Sequence, residues 1–512
     1  MTEADGLGPD VDLTRNVADL VAAAARAGGD RPALVDATSG VTLTWAEVDA
    51  EVNQRAERLA EAGMHPGDRV AVRLPTGIPY CLAVFGVLRA GGVLVPLSTD
   101  LPPAGLVDLL ADCQATVVVG DPVAGVEVTT MLAPDGTGNR TAGAPAVAPA
   151  GGGEDLAVLC YTSGTSGRQR GVLLSHRALL ANVAQCAALD PPPVTSADRM
   201  LLSLPLSHAY GLGPGLFQVA AAGATAVLLP KFTVDDALTA IGTHQVTTLV
   251  GVPPMYSALL TVPDERLREA LASVRLFTSG AAPLPPAVLA GVQRVTGLPI
   301  YEGYGLTETA PVLTSTLVSG RAKPGSVGRP LPGVRLCLVD SDGDPLPGPD
   351  ADDELDDETG GTGLVAVSGP NLFSGYWPDG AHGPNADGWF RTGDIGYLDA
   401  DGDLHLVDRA NDLIIVNGFN VYPHEVEHAI GRLAGVVEAA AVGVPDERTG
   451  ETVKAVVIRQ PDADLTADQV IEHCAELLAR FKVPTSVEFV DSLPHSPTGK
   501  LARASVRLGL PT

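Results

Sequence analysis

Between Tyr161 and Val172 the chain reads YTSGTSGRQRGV, a stretch dominated by hydroxyl-bearing, small and cationic residues. Thr162, Ser163, Thr165 and Ser166 offer hydroxyl donors, while Gly164, Gly167 and Gly171 let backbone N–H groups come close to a ligand. Arg168 and Arg170 add fixed positive charge. Hydroxyls, bare backbone and guanidinium groups together suit a polyphosphate and point to ATP. The Walker pattern G-x-x-x-x-G-K-[ST] is excluded, because no lysine follows the glycine spacing. A plain Gly/Ser linker is disfavoured by the apolar run on each side and by the two arginines.

Other stretches carry chemistry of their own. LPLSHAYG (Leu204 to Gly211) places His208 in an apolar run, where a histidine is ordinarily a satisfied core residue. SGAAPL (Ser279 to Leu284) is a small-residue loop against which a flat base can lie, and Tyr304 in YEGYGLTE (Tyr301 to Glu308) can stack on its other face. Asp394 closes the run RTGD with a carboxylate, which offers two acceptor oxygens. The turn DADGDL that follows holds Asp399, Asp401 and Asp403, but no glutamate completes an EF-hand, so it reads as a hairpin turn. Lysine is scarce, with only Lys231, Lys323, Lys454, Lys482 and Lys500, which draws notice to Lys500 in SPTGK.

In this order, these stretches resemble the motifs of the adenylate-forming superfamily: acyl-CoA synthetases, nonribosomal peptide adenylation domains and firefly-type luciferases. The resemblance runs from residue 14 to residue 507 and is strongest to fatty-acyl and aryl-CoA ligases. It departs from the usual phosphate loop at Ser166, Gln169 and Arg170, where Thr, Pro and Lys are common; Arg170 exchanges a point ammonium for a planar fork. The resemblance implies that Thr162, Ser163, Gly164, Thr165, Ser166, Gly167 and Arg170 grip the phosphates. It implies that Gly280, Ala281 and Ala282, with Glu302, Gly303, Tyr304 and Gly305, form the nucleotide slot. Thr307 is then expected to contact the α-phosphate, Glu308 to bind Mg2+, and His208 to help place the acid's carboxylate. Asp394 and Arg409 would hold the ribose, Asn411 would be a hinge, and Gly418 would border a pantetheine tunnel. Lys500 would neutralise charge as the carboxylate attacks phosphorus.

The implied reaction is ATP-dependent activation of a small-molecule carboxylic acid to an acyl-adenylate, followed by transfer to a thiol, most simply coenzyme A. Three alternatives stand beside it: transfer to a separate carrier protein, capture by an amine or other nucleophile, and a binding relative without turnover. The implied fold is α/β. A large N-terminal domain of helix-covered sheets with a small barrel-like subdomain would span residues 1–409, and a small mobile α+β C-terminal domain residues 410–512.

Elements able to position these residues are legible in the pattern. DLAVLCY before the loop is a short apolar run expected as a buried strand, and VLLSH with RALLANVAQ is expected as strand then helix. Thr44 and Glu47 form a capping box that opens a helix ending at Gly63. RVAVRL, a helix over Ile78 to Ala90, and VLVPL give the βαβ rhythm of a parallel sheet covered on both faces. Met200 to Pro230 carries no charge, but its prolines and glycines divide it into strand, turn, helix and strand, so no membrane span is expected. Residues 133–153 are expected as an exposed connector and Pro349 to Gly363 as a solvated acidic loop.

At 512 residues the chain needs at least two cores, and 45% hydrophobic residues support dense burial. A net charge of -28 argues against nucleic acid and anionic lipid as partners. Six scattered cysteines without a C-x-x-C pair, and an acidic opening stretch with no apolar h-region, are expected of a cytoplasmic enzyme.

Overall fold

The computed structural model of the chain describes residues 12–121, 130–132, 149–162, 169–346, 361–410, 412–417, 419–446, 448–495 and 501–508. These form two compact units. The larger comprises residues up to Thr162 with Arg170–Arg335 and Ser368–Phe390, and the smaller mainly Leu336–Val367 and Arg391 onward. Most of the connector at 133–153 and of the acidic loop at 349–363 lies outside the described residues.

Two sheets make up the larger unit. One has six strands, in the order Thr130–Leu132, Val117–Gly120, Arg69–Arg73, Val93–Pro96, Leu156–Thr162 and Arg170–Ser175. It is parallel up to its last pair, which is antiparallel. The other has nine strands, with Pro32–Asp36, Thr225–Leu228, Arg199–Leu202, Thr248–Gly251, Leu276–Ser279 and Ile300–Gly305 parallel at its centre and antiparallel strands at both edges. Runs such as Val70–Val72 and Ala226–Leu228 are buried on both faces, as strands under helices must be.

The helices follow the same logic. Helix Trp45–Glu61 begins at the expected capping box, with Thr44 and Glu47 satisfying each other's N–H groups. Helix Ile78–Arg89 is apolar all round and almost wholly buried. Its terminal Arg89 is tolerated there because it pairs with Asp49 at 2.8 Å and donates to Asn53 Oδ1 at 2.8 Å. The uncharged 200–230 stretch forms strand, helix and strand, and among the described residues no helix is long and apolar enough to cross a membrane. Its helical part opens as a π-helix, Gly211–Phe217, around Pro214. A proline has no N–H for the α-helical ladder, and the wider turn absorbs that loss.

A buried histidine gives the larger unit a pH dependence. His176 Nδ1 accepts the Val17 N–H at 3.0 Å, and burial pulls its pKa from 6.5 down to about 4. The unfolded chain therefore takes up this proton at higher pH than the folded one. The stabilisation is complete above pH 6.5 and is lost as pH falls toward 4. Urea midpoints measured across that range should fall with pH, and His176→Gln should flatten the dependence; an unchanged slope would remove His176 as its source.

The smaller unit contains a four-stranded sheet, Arg335–Val339, Gly363–Ser368, Phe390–Leu398 and Leu404–Arg409 in order. It also contains a five-stranded sheet built on the long hairpin Val436–Asp446 and Gly450–Arg459. Helices Pro423–Gly431 and Ala467–Leu477 contribute Val426, Ile430, Val470 and Cys474 to a core with Val453, Ala455 and Val457.

Candidate active site

Phosphate-loop residues Ser163, Gly164, Thr165, Ser166 and Gly167 lie outside the described residues, as do Asn411, Gly418 and Lys500. What flanks the loop is defined. Strands Leu156–Thr162 and Arg170–Ser175 pair antiparallel with Thr162 opposite Arg170, and Thr162 Oγ1 donates to the Arg170 carbonyl at 3.4 Å. The ordered elements expected on each side are thus the two arms of one hairpin. Gly171 serves packing: a Cβ there would lie 2.7 Å from Leu159 and 3.0 Å from Trp377.

Three of the motifs meet in the larger unit. SGAAPL, LPLSHAYG and the TE turn all follow the C-terminal ends of parallel strands, the edge where open α/β sheets bind ligands. A Cβ on Gly280 would sit 2.9 Å from the Tyr210 ring, so the phenol two residues after His208 lies directly under the SGAAPL loop. A Cβ on Gly213 would sit 2.8 Å from Pro311 Cδ, so the helix after His208 rests on the end of the TE turn. Ala281 has a left-handed φ of 67°, and Ala282 is half-buried beside it.

His208 Nδ1 accepts the Tyr210 N–H at 3.2 Å, and burial draws its pKa down to about 4, so the ring is neutral at pH 7. Glu302 is buried, and its Oε1 accepts the Leu284 N–H at 2.9 Å, tying SGAAPL to strand Ile300–Gly305. Burial pushes its pKa up to about 7. Gly303, Tyr304 and Gly305 continue that strand, opposite Ser315, Thr314 and Val312.

Thr307 and Glu308 sit in a short 3-10 turn, Thr307–Thr309. Buried Thr309 fixes it, donating to Pro311 O at 2.6 Å and accepting the Leu306 N–H at 3.0 Å. Asn182 clamps the following strand through Val312, accepting its N–H at 3.0 Å and donating to its carbonyl at 2.6 Å. Glu308 Oε1 accepts from the Tyr376 hydroxyl at 2.7 Å. The Arg170 guanidinium lies 4.1 Å from the centre of the same Tyr376 ring. Nothing in the sequence marks Tyr376, which is 68 residues from Glu308 and belongs to none of the motifs.

Glu308 fits Mg2+ by the chemistry of its donors. One carboxylate oxygen is committed to Tyr376, and among the described residues Oε2 has no hydrogen-bond partner. The thiol of Cys160 is pushed up to about 12, by burial first and by Glu308 second, so it stays protonated and offers no soft ligand.

In the smaller unit Asp394 and Arg409 are direct cross-strand partners, with Arg409 Nε 3.1 Å from Asp394 Oδ1. The Asp399–Asp403 turn is a hairpin turn, as expected: Asp399 Oδ1 accepts the N–H groups of Asp401 and Asp403.

The same unit holds an ionic cluster that no motif announces. Arg503 grips Glu427 with two bonds, Nε to Oε1 at 3.1 Å and Nη2 to Oε2 at 2.6 Å. Its Nη1 lies 3.7 Å from Asp412 and 4.0 Å from Asp408. Asp408 also accepts the His424 N–H at 2.9 Å. The charge of Arg503 thus faces carboxylates on both sides of position 411.

Comparison with known proteins finds matches over most of the chain. The AMP-binding enzyme family matches residues 21–377, and the AMP-binding enzyme C-terminal domain matches residues 425–500. The chain belongs to the AMP-binding enzyme family. It is 37% identical to a feruloyl-CoA synthase of Amycolatopsis sp, over 91% of this chain and 94% of that protein. It is 31% identical to a long-chain-fatty-acid–CoA ligase of Yersinia pestis, over 97% and 95% of the two chains. ATP-bound MatB from Rhodopseudomonas palustris superposes with a TM-score of 0.86 at 35% identity, covering 97% of this chain and 99% of that one. Within the family, the chain is an AMP-forming acid–thiol ligase of the acyl-CoA synthetase type.

Proposed function

We propose that this enzyme activates an aryl or fatty carboxylic acid with Mg-ATP and passes the acyl group from its adenylate to coenzyme A, releasing pyrophosphate and AMP. The observation that carries this reading is the packing of SGAAPL, the His208 segment and the TE turn on one another at a single sheet edge. Neutral His208 donates to or orients the carboxylate, Tyr304 and the SGAAPL backbone sandwich the base, and Thr307 contacts the α-phosphate. Bound at Glu308, Mg2+ would supply charge neutralisation at the phosphates. Arg170 and the loop before it hold the pyrophosphate to be released.

Asp394 reads the ribose diol, with Arg409 holding its carboxylate in place. Lys500 brings positive charge to the reacting carboxylate and α-phosphate. For the second half-reaction, residues 410–512 rotate about Asn411 as a C-terminal domain and bring Gly418 to the thiol's path. A carrier protein or an amine in place of coenzyme A is the alternative acceptor.

Pyrophosphate release screened over aryl, fatty and amino acids, with and without coenzyme A, tests this. ADP and phosphate in place of AMP and pyrophosphate would contradict it, and turnover indifferent to coenzyme A would move the acceptor to another nucleophile. Asp394→Asn keeps the shape but halves the acceptor capacity. It is expected to raise KM for ATP about tenfold, while an unchanged KM would take Asp394 out of the ribose site.

A further inference from the structure

Tyr376 stands between two groups that the sequence presents as independent. Its hydroxyl donates to Glu308 Oε1 at 2.7 Å, and the Arg170 guanidinium covers its ring at 4.1 Å. The phenol itself has little freedom. Its ring meets Phe373 edge-on at 5.0 Å, and Phe373 meets Phe390 in the same way at 4.9 Å. The backbone around it is pinned to the strand that leaves the phosphate loop: Leu173 N donates to Gly375 O at 3.1 Å, and Trp377 N donates to Gly171 O at 2.8 Å. Phe373 N donates to the Glu308 carbonyl at 3.0 Å, so the segment also braces the TE turn. Arg177 secures its start, donating to the carbonyls of Pro370 and Leu372.

We propose that Tyr376 is a positioning residue that fixes the orientation of the Glu308 carboxylate for Mg2+ and registers it against Arg170 of the phosphate hairpin. The inference rests on the assignment of Glu308 as the Mg2+ ligand. A carboxylate with one oxygen held by a rigid donor presents the other in one direction, which removes the rotational cost of capturing a metal that demands near-ideal octahedral geometry. The same ring explains why arginine works at position 170: a planar guanidinium stacks flat on a phenol, where an ammonium makes only a point contact. Tyr376 touches neither nucleotide nor acid in this role; it acts through Glu308 and Arg170.

The test is Mn2+ affinity, read by electron paramagnetic resonance on the full chain with α,β-methylene-ATP, which cannot be cleaved at the reacting bond. Tyr376→Phe keeps the ring and the stack but removes the hydroxyl. It is expected to weaken Mn2+ about tenfold, to leave metal-free nucleotide affinity and the melting temperature unchanged, and to raise the Mg2+ concentration for half-maximal pyrophosphate release by the same factor. Arg170→Lys is expected to lower metal-free nucleotide affinity about threefold and to leave Mn2+ affinity alone. Unchanged Mn2+ affinity in Tyr376→Phe would overturn the proposal, and so would a Phe variant that fails to fold, since that assigns the residue to the scaffold. Glu308→Gln separates the two levels: if it too leaves Mn2+ affinity intact, the metal assignment itself is wrong, whereas if it lowers affinity and Tyr376→Phe does not, only the positioning role fails.

Discussion

Lys500→Ala is expected to slow pyrophosphate release from acid and ATP by on the order of 10²–10³-fold, the cost of removing one preorganised charge from a developing oxyanion. Thioester formation from a supplied acyl-adenylate should survive, because that step has an AMP leaving group already in place and needs mainly positioning. Lysine is rare in this chain, and two of the five are committed elsewhere, Lys454 to Glu488 at 2.6 Å and Lys482 to Glu425 at 2.8 Å. Lys500 lies outside the described residues, but the chain on either side of it is closed. His495 bridges to Leu501, and Ala502 N donates to Pro494 O at 2.8 Å. Stopped-flow measurement of each half-reaction checks the prediction; equal loss in both would sink the role given to Lys500.

Arg503→Ala should destabilise the smaller unit by about 3–5 kcal/mol at neutral pH, the usual result of leaving buried carboxylates without their cation. Glu427 and Asp408 are largely withdrawn from water, with side-chain exposures of 10% and 2%. Burial raises the Asp408 pKa even with Arg503 present, while hydrogen bonds from His424 and Arg503 offset burial at Glu427 and bring it below its ordinary value. Without the guanidinium, burial would make Asp408 and Glu427 hold protons more tightly in the folded state than in the unfolded one. Stability of the variant should then rise as pH falls through the carboxylate range, and its deficit should narrow. Urea denaturation of wild type and variant at neutral and mildly acid pH measures both effects. A loss below about 1 kcal/mol, typical of an exposed ion pair, would show that the cluster is solvated. Arg503→Lys should recover little, since an ammonium cannot make the two-bond grip on Glu427.

The two cases show what a linear sequence can and cannot convey. Glycine spacing around Ser163 and the apolar runs beside it located a loop between ordered elements, and the structure places antiparallel strands there. The Thr44–Glu47 box started a helix where expected, and the aspartate turn after Leu398 closed a hairpin as expected. These are local matters of turn chemistry, capping and period, and local signals survive in one dimension. The Tyr376–Glu308 bond and the Arg503 cluster join residues 68 and more positions apart. A tyrosine after a glycine, or an arginine near a C-terminal helix, has no periodicity that would reveal a partner on another element. Gly171 carries a packing role that its place in the glycine-rich run does not reveal: a Cβ there would crowd Leu159 and Trp377. Pro214 broke the uncharged stretch in the sequence reading, yet the chain continues through it by widening to a π-turn.

The central claim is that the acid's own carboxylate oxygen attacks the α-phosphorus of ATP. An acid labelled with heavy oxygen in its carboxylate, turned over with ATP and coenzyme A, tests this in one mass spectrum. Attack at the α-phosphorus followed by thiolysis must leave one labelled oxygen in AMP and none in pyrophosphate. Label in inorganic phosphate, accompanied by ADP, or unlabelled AMP beside the thioester, would contradict it.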